Sequence, residues 1–372
     1  MTGSLRQKIP VFAIVFVALA MLLIPLVLST PNLQIYVAIG LSTIVVTGLS
    51  LLMGFAGQVS LGQAAFYGIG AYTSAILSLH GVPTLLALLL APIFSGILAL
   101  IIGIPLLRLR GHALAFGTLA VQLIFLALIP QTAKWSGGSI GLSALPQLTI
   151  GSFSFTDGRD YAFLVWVVMV IALILARNIS RSRPGRGLRA MAVSVSGASA
   201  TGVEVERYKL KDFAFSAALA GIAGGIYAFF IGYISPDAFP VLLSIEFVIM
   251  VVVGGIGTVS GAFVGAALVT IISQVLTALG TSPSLPPQLP TVLSLGVYAL
   301  VLIAILRLLP TGLIGGVLKL WNRGKRIAPS QHGSRERLLA AESSGTVSAV
   351  QADTGSASPT PEDGSVLGES VS

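Results

Sequence analysis

The chain of 372 residues is 55% hydrophobic and 9% charged, with a mean hydropathy of +0.96, whereas soluble domains carry about 25% charged residues. That balance excludes an ordinary water-soluble domain. The net charge of +8 does not point to nucleic acid, because the basic side chains fall between apolar runs, where they set membrane topology. The absence of cysteine excludes disulfides, thiolate metal sites and cysteine catalysis.

A membrane span takes about 20 apolar residues, and ten runs qualify: 9–29, 33–53, 57–79, 84–106, 111–130, 161–176, 212–234, 239–256, 259–279 and 288–309. The first follows Arg6 and Lys8. It is longer than the roughly 7–15-residue core of a signal peptide and is read as a retained helix. The third is interrupted by glycine and amide residues, "GFAGQVSLGQAAFYGIGAY" from Gly54 to Tyr72. It is expected to turn at Gly54–Gly57 and then form a helix. Ser60, Gln63, Tyr67 and Ser74 would make a polar stripe on that helix, beside a small-residue face of Ala64, Gly68 and Ala75. A polar stripe facing lipid is costly, so it faces either a neighbouring helix or a water-filled path.

The loop 131–160 contains the glycine-punctuated "KWSGGSIGLSALP". The loop 177–211 holds eight basic residues, with Arg181, Arg183, Arg186 and Arg189 in its first half and Arg207, Lys209 and Lys211 at its end. It fits an anchor on anionic headgroups and equally a docking element for a cytosolic partner. Glu246 is the one acid well inside a proposed span. Such a group marks function or a specific partner, and an acid satisfied at a helix end or by water fits as well. Gly254–Ala267, "GGIGTVSGAFVGAA", joins the eighth and ninth runs, where glycines serve close packing or a broken, cavity-lining helix. From 321 onward the chain is rich in Ser, Gly, Thr and Ala, which predicts a disordered tail after a membrane domain covering 1–320.

Threading the ten runs with the N-terminus inside leaves only Lys134 and Arg159, of 21 Lys and Arg residues, on the outside. The fold class expected is therefore an all-α polytopic membrane protein of about ten transmembrane helices with both termini cytoplasmic. No G-x-x-x-x-G-K-[ST] phosphate loop, H-E-x-x-H pair or Ser/His/Asp grouping is present, and the three histidines lack metal-ligand spacing. The chain is read as a non-enzyme without a cofactor or metal of its own.

Six segments then occur in order: "LSLLMGFAGQVSLGQAAFYGIGAYTSA", "LRLRGHALAFGTLA", "GGSIGLS", "GRGLRAM" leading to "RYKLKDFAFSAALAGIAGGIYA", "YISPDAFPVLLSIEFVIMVVVGGIGTVSGAFVGA" and "RLLPTGLIGG". Together they resemble the LivM-type permease of branched-chain amino-acid ABC importers over roughly residues 35–316. The resemblance implies a type II ABC-importer-like permease in a bacterial or archaeal cytoplasmic membrane. Its partners would be a LivH-type permease, two cytosolic ATPase subunits that bind ATP and Mg, and an extracytoplasmic substrate-binding protein. It implies a coupling helix within 177–211, assigned to Arg186, Arg189, Ala192, Val193, Gly202, Arg207 and Lys209. A translocation path would be lined by Gly57, Gln58, Ser60, Gly62, Gln63, Tyr67, Glu246, Gly254, Gly255 and Gly257. Two departures stand out. Ala192, Val193, Ser194 and Val195 replace a charged run common in the family, and Gln63 stands where the family often has His. Permeases for urea and short amides share these motifs and are the alternative, with a stand-alone secondary carrier as a further one.

Overall fold

The computed structural model describes residues 30–280 other than Arg110, Thr201 and Val203, together with Pro25 and Arg307. Eight of the ten expected runs correspond to helices here, and the runs 9–29 and 288–309, apart from Pro25 and Arg307, lie outside the described residues. In chain order the helices are α1 (Thr30–Gly54), α2 (Gln63–Leu79), α3 (Thr84–Leu106), α4 (His112–Gln131) and the one-turn α5 (Ala133–Ser136). A two-stranded hairpin, β1 (Thr149–Ile150) and β2 (Phe153–Ser154), separates these from α6 (Gly158–Arg181). Then come α7 (Arg183–Val193), α8 (Val195–Ala200), α9 (Val205–Ile231), α10 (Val241–Gly254) and α11 (Val259–Gly280). Among the described residues, six stretches are long and apolar enough to cross a membrane: the bulk of α1, all of α3, α4, α6 and α9, and Pro236–Gly254, which carries α10. Helices α2 and α11 occupy the runs read at 57–79 and 259–279.

Burial separates centre from periphery. Of the most apolar windows, 72% of residues are buried in α1 and 61% in α9, against 28% in α3 and 22% in α4. The packing is inverted relative to a soluble protein. Helix α3 turns Ala87, Ala91, Ser95, Ala99 and Gly103 inward at steps of four, while Leu89, Ile93, Ile97, Ile101 and Ile104 point out. Lipid solvates large side chains as well as a core does, so small residues are kept for close helix contact. The closest approach is between α2 and α9, where a β-carbon on Gly70 would overlap the Gly221 carbonyl and one on Gly224 the Tyr67 carbonyl.

Two segments differ from expectation. The region 177–211 is mostly helix: α6 continues to Arg181, Ser182 caps α7 by accepting the Gly185 N–H at 3.4 Å, and α9 starts at Val205. Arginines at a span's end need not stop the helix, because their heads reach the interface while their stems stay in apolar surroundings. The 131–160 loop is tethered to the end of α9 by an antiparallel bridge between Leu142 and Ile234, and the Tyr233 hydroxyl donates to the Ile140 carbonyl at 2.5 Å. Asp157 and Asp160 form a capping box that starts α6.

Candidate functional site: an unwound polar segment braced by four helices

The chain leaves α1 at Gly54 and does not resume a helix until Gln63. The third run was expected to be helical from about residue 57. Instead Ser60 lies on extended chain, so the stripe drawn through Ser60, Gln63, Tyr67 and Ser74 is not one helical face. Gly57 turns the chain at φ +64°. From there exposure alternates: Gly57 and Val59 face out, while Gln58, Ser60 and Gly62 are buried. That two-residue period is the pattern of an extended strand. Non-helical backbone at membrane depth is tolerated where protein surrounds it or where it lines a cavity.

The surrounding helices supply the hydrogen bonds that the segment and the start of α2 lack. Thr118 of α4 accepts the Leu61 N–H on its hydroxyl at 2.8 Å. Ser244 of α10 accepts the Ala64 N–H at 2.9 Å and donates to Gln122 Oε1 at 3.3 Å. Gln122 Nε2 donates in turn to the Phe239 carbonyl at 2.9 Å. Gln63 Nε2 donates to the Ser216 carbonyl at 3.0 Å and to its hydroxyl at 2.9 Å. Helix α2 thus has no cap from its own side chains. Among its open N–H groups, that of Ala64 is met from α10, α4 takes the Leu61 N–H just before the helix, and α9 holds the Gln63 side chain.

The coupling assignments gather on the other side of this segment. Helix α7 buries Gly185, Leu188 and Met191, and Leu188 and Met191 pack with Leu51, Phe55, Ala56 and Ala176, flanked by Tyr208. Arg189 lays its guanidinium over the Phe55 ring at 4.9 Å and donates to the Ser180 carbonyl at 3.0 Å. A β-carbon on Gly57 would stand 3.9 Å from the Ala192 Cα. Arg186 is exposed and donates to the Arg181 carbonyl at 3.4 Å. Val193 ends α7, exposed Gly202 turns the chain at φ +80° before α9, and Lys209 is half-buried on α9. Arg207 pairs with Glu204 at 2.7 Å on the surface.

The remaining path assignments are spread apart. Tyr67 is buried in an aromatic cluster, its ring 5.6 Å from Tyr227, 5.7 Å from Phe239 and 6.1 Å from Phe247. Glu246 is half-buried on α10, two residues beyond Ser244 and so nearly opposite it around the helix. Gly254 lies against the Gly261 carbonyl, Gly255 takes φ 113° at the end of α10, and Gly257, at φ +76°, packs on Gly54. The turn Gly255–Thr258 thereby supports the end of α1, where the Ser50 hydroxyl donates to the Thr258 carbonyl at 3.5 Å.

The sequence reading passed over Thr118, Gln122, Ser216, Ser244 and Asp212. The first two had a signal, being polar and four residues apart within an otherwise apolar span. Asp212 sat at the first position of the run read as 212–234 and was passed over. It lies inside α9 and is 5% exposed.

A multi-pass bundle that encloses an unwound polar segment, with a basic amphipathic helix seated on it, defines an integral membrane permease. Residues 32–306 match the family model of the branched-chain amino acid transport system permease component. The chain belongs to that family, and it is a multi-pass protein of the inner membrane. It is 28% identical over 298 residues to the high-affinity branched-chain amino acid transport system permease protein LivM of Salmonella typhimurium, covering 74% of this chain and 69% of the relative. The Escherichia coli LivM protein gives the same identity and coverage. The Salmonella typhimurium LivH protein is 25% identical over 289 residues, covering 73% of this chain and 90% of its own. No solved structure matches.

Proposed function

We propose that this chain is the membrane-spanning subunit of an ABC importer that moves branched-chain amino acids across the cytoplasmic membrane. It would have about ten spans in a type II-like arrangement, with both termini cytoplasmic, and would pair with a LivH-type permease. ATP and Mg would be bound by two cytosolic ATPase subunits, and a soluble binding protein would deliver substrate from outside. The observation that carries this reading is the seat of α7. Through Arg189 on Phe55 and Ala192 beside Gly57, a push on α7 reaches the segment holding Gln58, Ser60 and Gln63. The exposed Arg181, Arg183 and Arg186 on the same region offer the surface to be pushed. The family match carries the substrate class.

The test is uptake of labelled leucine into proteoliposomes holding this chain, its partner permease, the ATPases and the binding protein. Uptake is expected to require ATP and each subunit. Uptake that persists without the ATPases identifies a secondary carrier, and labelled urea transported in place of leucine redirects the substrate.

A further inference from the structure

Four of the buried side chains with unpartnered polar atoms converge on one level of the bundle. Gln58 and Ser60 share the inward face of the extended segment, and neither amide atom of Gln58 nor the Ser60 hydroxyl has a partner among the described residues. Gln63 spends its Nε2 on Ser216 and leaves Oε1 unpartnered. Asp212 precedes Ser216 by four residues on α9, one turn and about 6 Å along the same face, and its Oδ2 has no partner either.

Packing puts Gln58 at the level of Asp212. Helices α1 and α9 run antiparallel, since Gly48 meets Ser216 while Leu51 and Phe55 meet Tyr208. One turn beyond Gly48 is Leu52, whose carbonyl accepts the Gln58 N–H at 3.0 Å. One turn before Ser216 is Asp212. A carboxylate buried in lipid-embedded protein without a counter-charge is expensive. At this level the unwound segment that packs on α9 carries three further unpartnered oxygens, Gln58 Oε1, the Ser60 hydroxyl and Gln63 Oε1. At the start of α2 the Ala64 N–H is taken by Ser244, and the Leu61 N–H just before the helix by Thr118.

We propose that Gln58, Ser60, Gln63 and Asp212 form a buried site for one monovalent cation of sodium's size, which ties the unwound segment to α9. Uncharged oxygens with one carboxylate suit a hard cation, and a single negative charge favours a monovalent one. Unwound chain inside a helix bundle is where membrane proteins gather oxygens around sodium. The site requires neither substrate nor ATPase, so it stands or falls separately from the transport reading.

The full-length chain, purified in detergent, is assayed for binding of radiolabelled sodium. Thermal unfolding is followed in parallel in sodium chloride and in choline chloride. One saturable class of sodium site is expected, with an unfolding midpoint that rises with sodium concentration. Asp212→Asn should weaken binding by about tenfold or more, as loss of a ligand exceeds the effect of losing its support, and should abolish the sodium-dependent shift. If Asp212→Asn fails to fold, Gln58→Ala, which removes an unpaired group, is expected to weaken binding in the same direction. The proposal is overturned if the wild-type chain binds no sodium saturably. It is equally overturned if Asp212→Asn binds with unchanged affinity, or if that variant is stabilised in both salts alike, the mark of a simple protonated acid.

Discussion

Gln63 is the residue on which the bracing of the unwound segment converges. It heads α2, reaches across to α9 and makes two buried hydrogen bonds to Ser216. Gln63→Ala removes both and leaves the Ser216 hydroxyl without its partner. The expected cost is about 1–3 kcal/mol, read as a lowered unfolding midpoint in detergent, while Gln63→His keeps a donor and should lose less. Ser244→Ala takes away the acceptor for the Ala64 N–H and should cost about 1 kcal/mol, like the loss of a helix cap. An unchanged midpoint for Ser244→Ala would show that α2 does not depend on this outside cap. Gly57 and Gly62 should fail for different reasons. A side chain at Gly62 meets the Thr118 carbonyl, whereas Gly57 has open space but a left-handed backbone. Gly57→Ala should therefore cost about 1–2 kcal/mol of strain, and Gly62→Leu should abolish leucine uptake while the protein still inserts.

Helix α2 shows what was legible at the level of elements and what was not. The limits of α3 were readable to the residue, because a turn at Gly81–Pro83 and a long Leu/Ile run define them locally. The start of α2 was not, because its partners lie 57, 153 and 180 positions away at Thr118, Ser216 and Ser244. Residues 57–62 carry a periodicity of two that is too short and too rich in glycine to be seen against the helical pattern around it. The close crossing of α2 and α9 was foreshadowed by the sequence AGIAGG, although small residues alone do not say which helix they meet. Gly224→Leu should drive the two helices apart. The expected readout is an unfolding midpoint in detergent below that of the parent chain, and an unchanged midpoint would show that the crossing accommodates a side chain at Gly224.

At the scale of the whole molecule, the apolar runs and the distribution of charge identified a membrane protein, and six ordered motifs identified its family. The route from α7 to the unwound segment was not legible, because nothing in a linear chain brings Phe55 to Arg189. That route carries a prediction for the assembled transporter. Arg189→Ala gives up a cation–π contact worth about 0.5–1 kcal/mol and should lower the leucine moved per ATP hydrolysed more than Arg186→Ala does. Equal effects from the two variants would assign both arginines to the docking surface. Replacing both by Glu should instead lower substrate-stimulated ATP hydrolysis itself.

The dependence of α2 on distant caps also bears on how the protein is made. Ser244 is synthesised 180 residues after Ala64, which takes about 9–36 s at roughly 5–20 residues per second. Through that interval the Ala64 N–H at the start of α2 lacks its final acceptor. Nascent chains halted before Ser244 should leave a cysteine at Ala64 open to a water-soluble maleimide, and chains extended past α10 should close it. The residues that hold the unwound segment in the finished permease thus also set when α2 can acquire its outside cap.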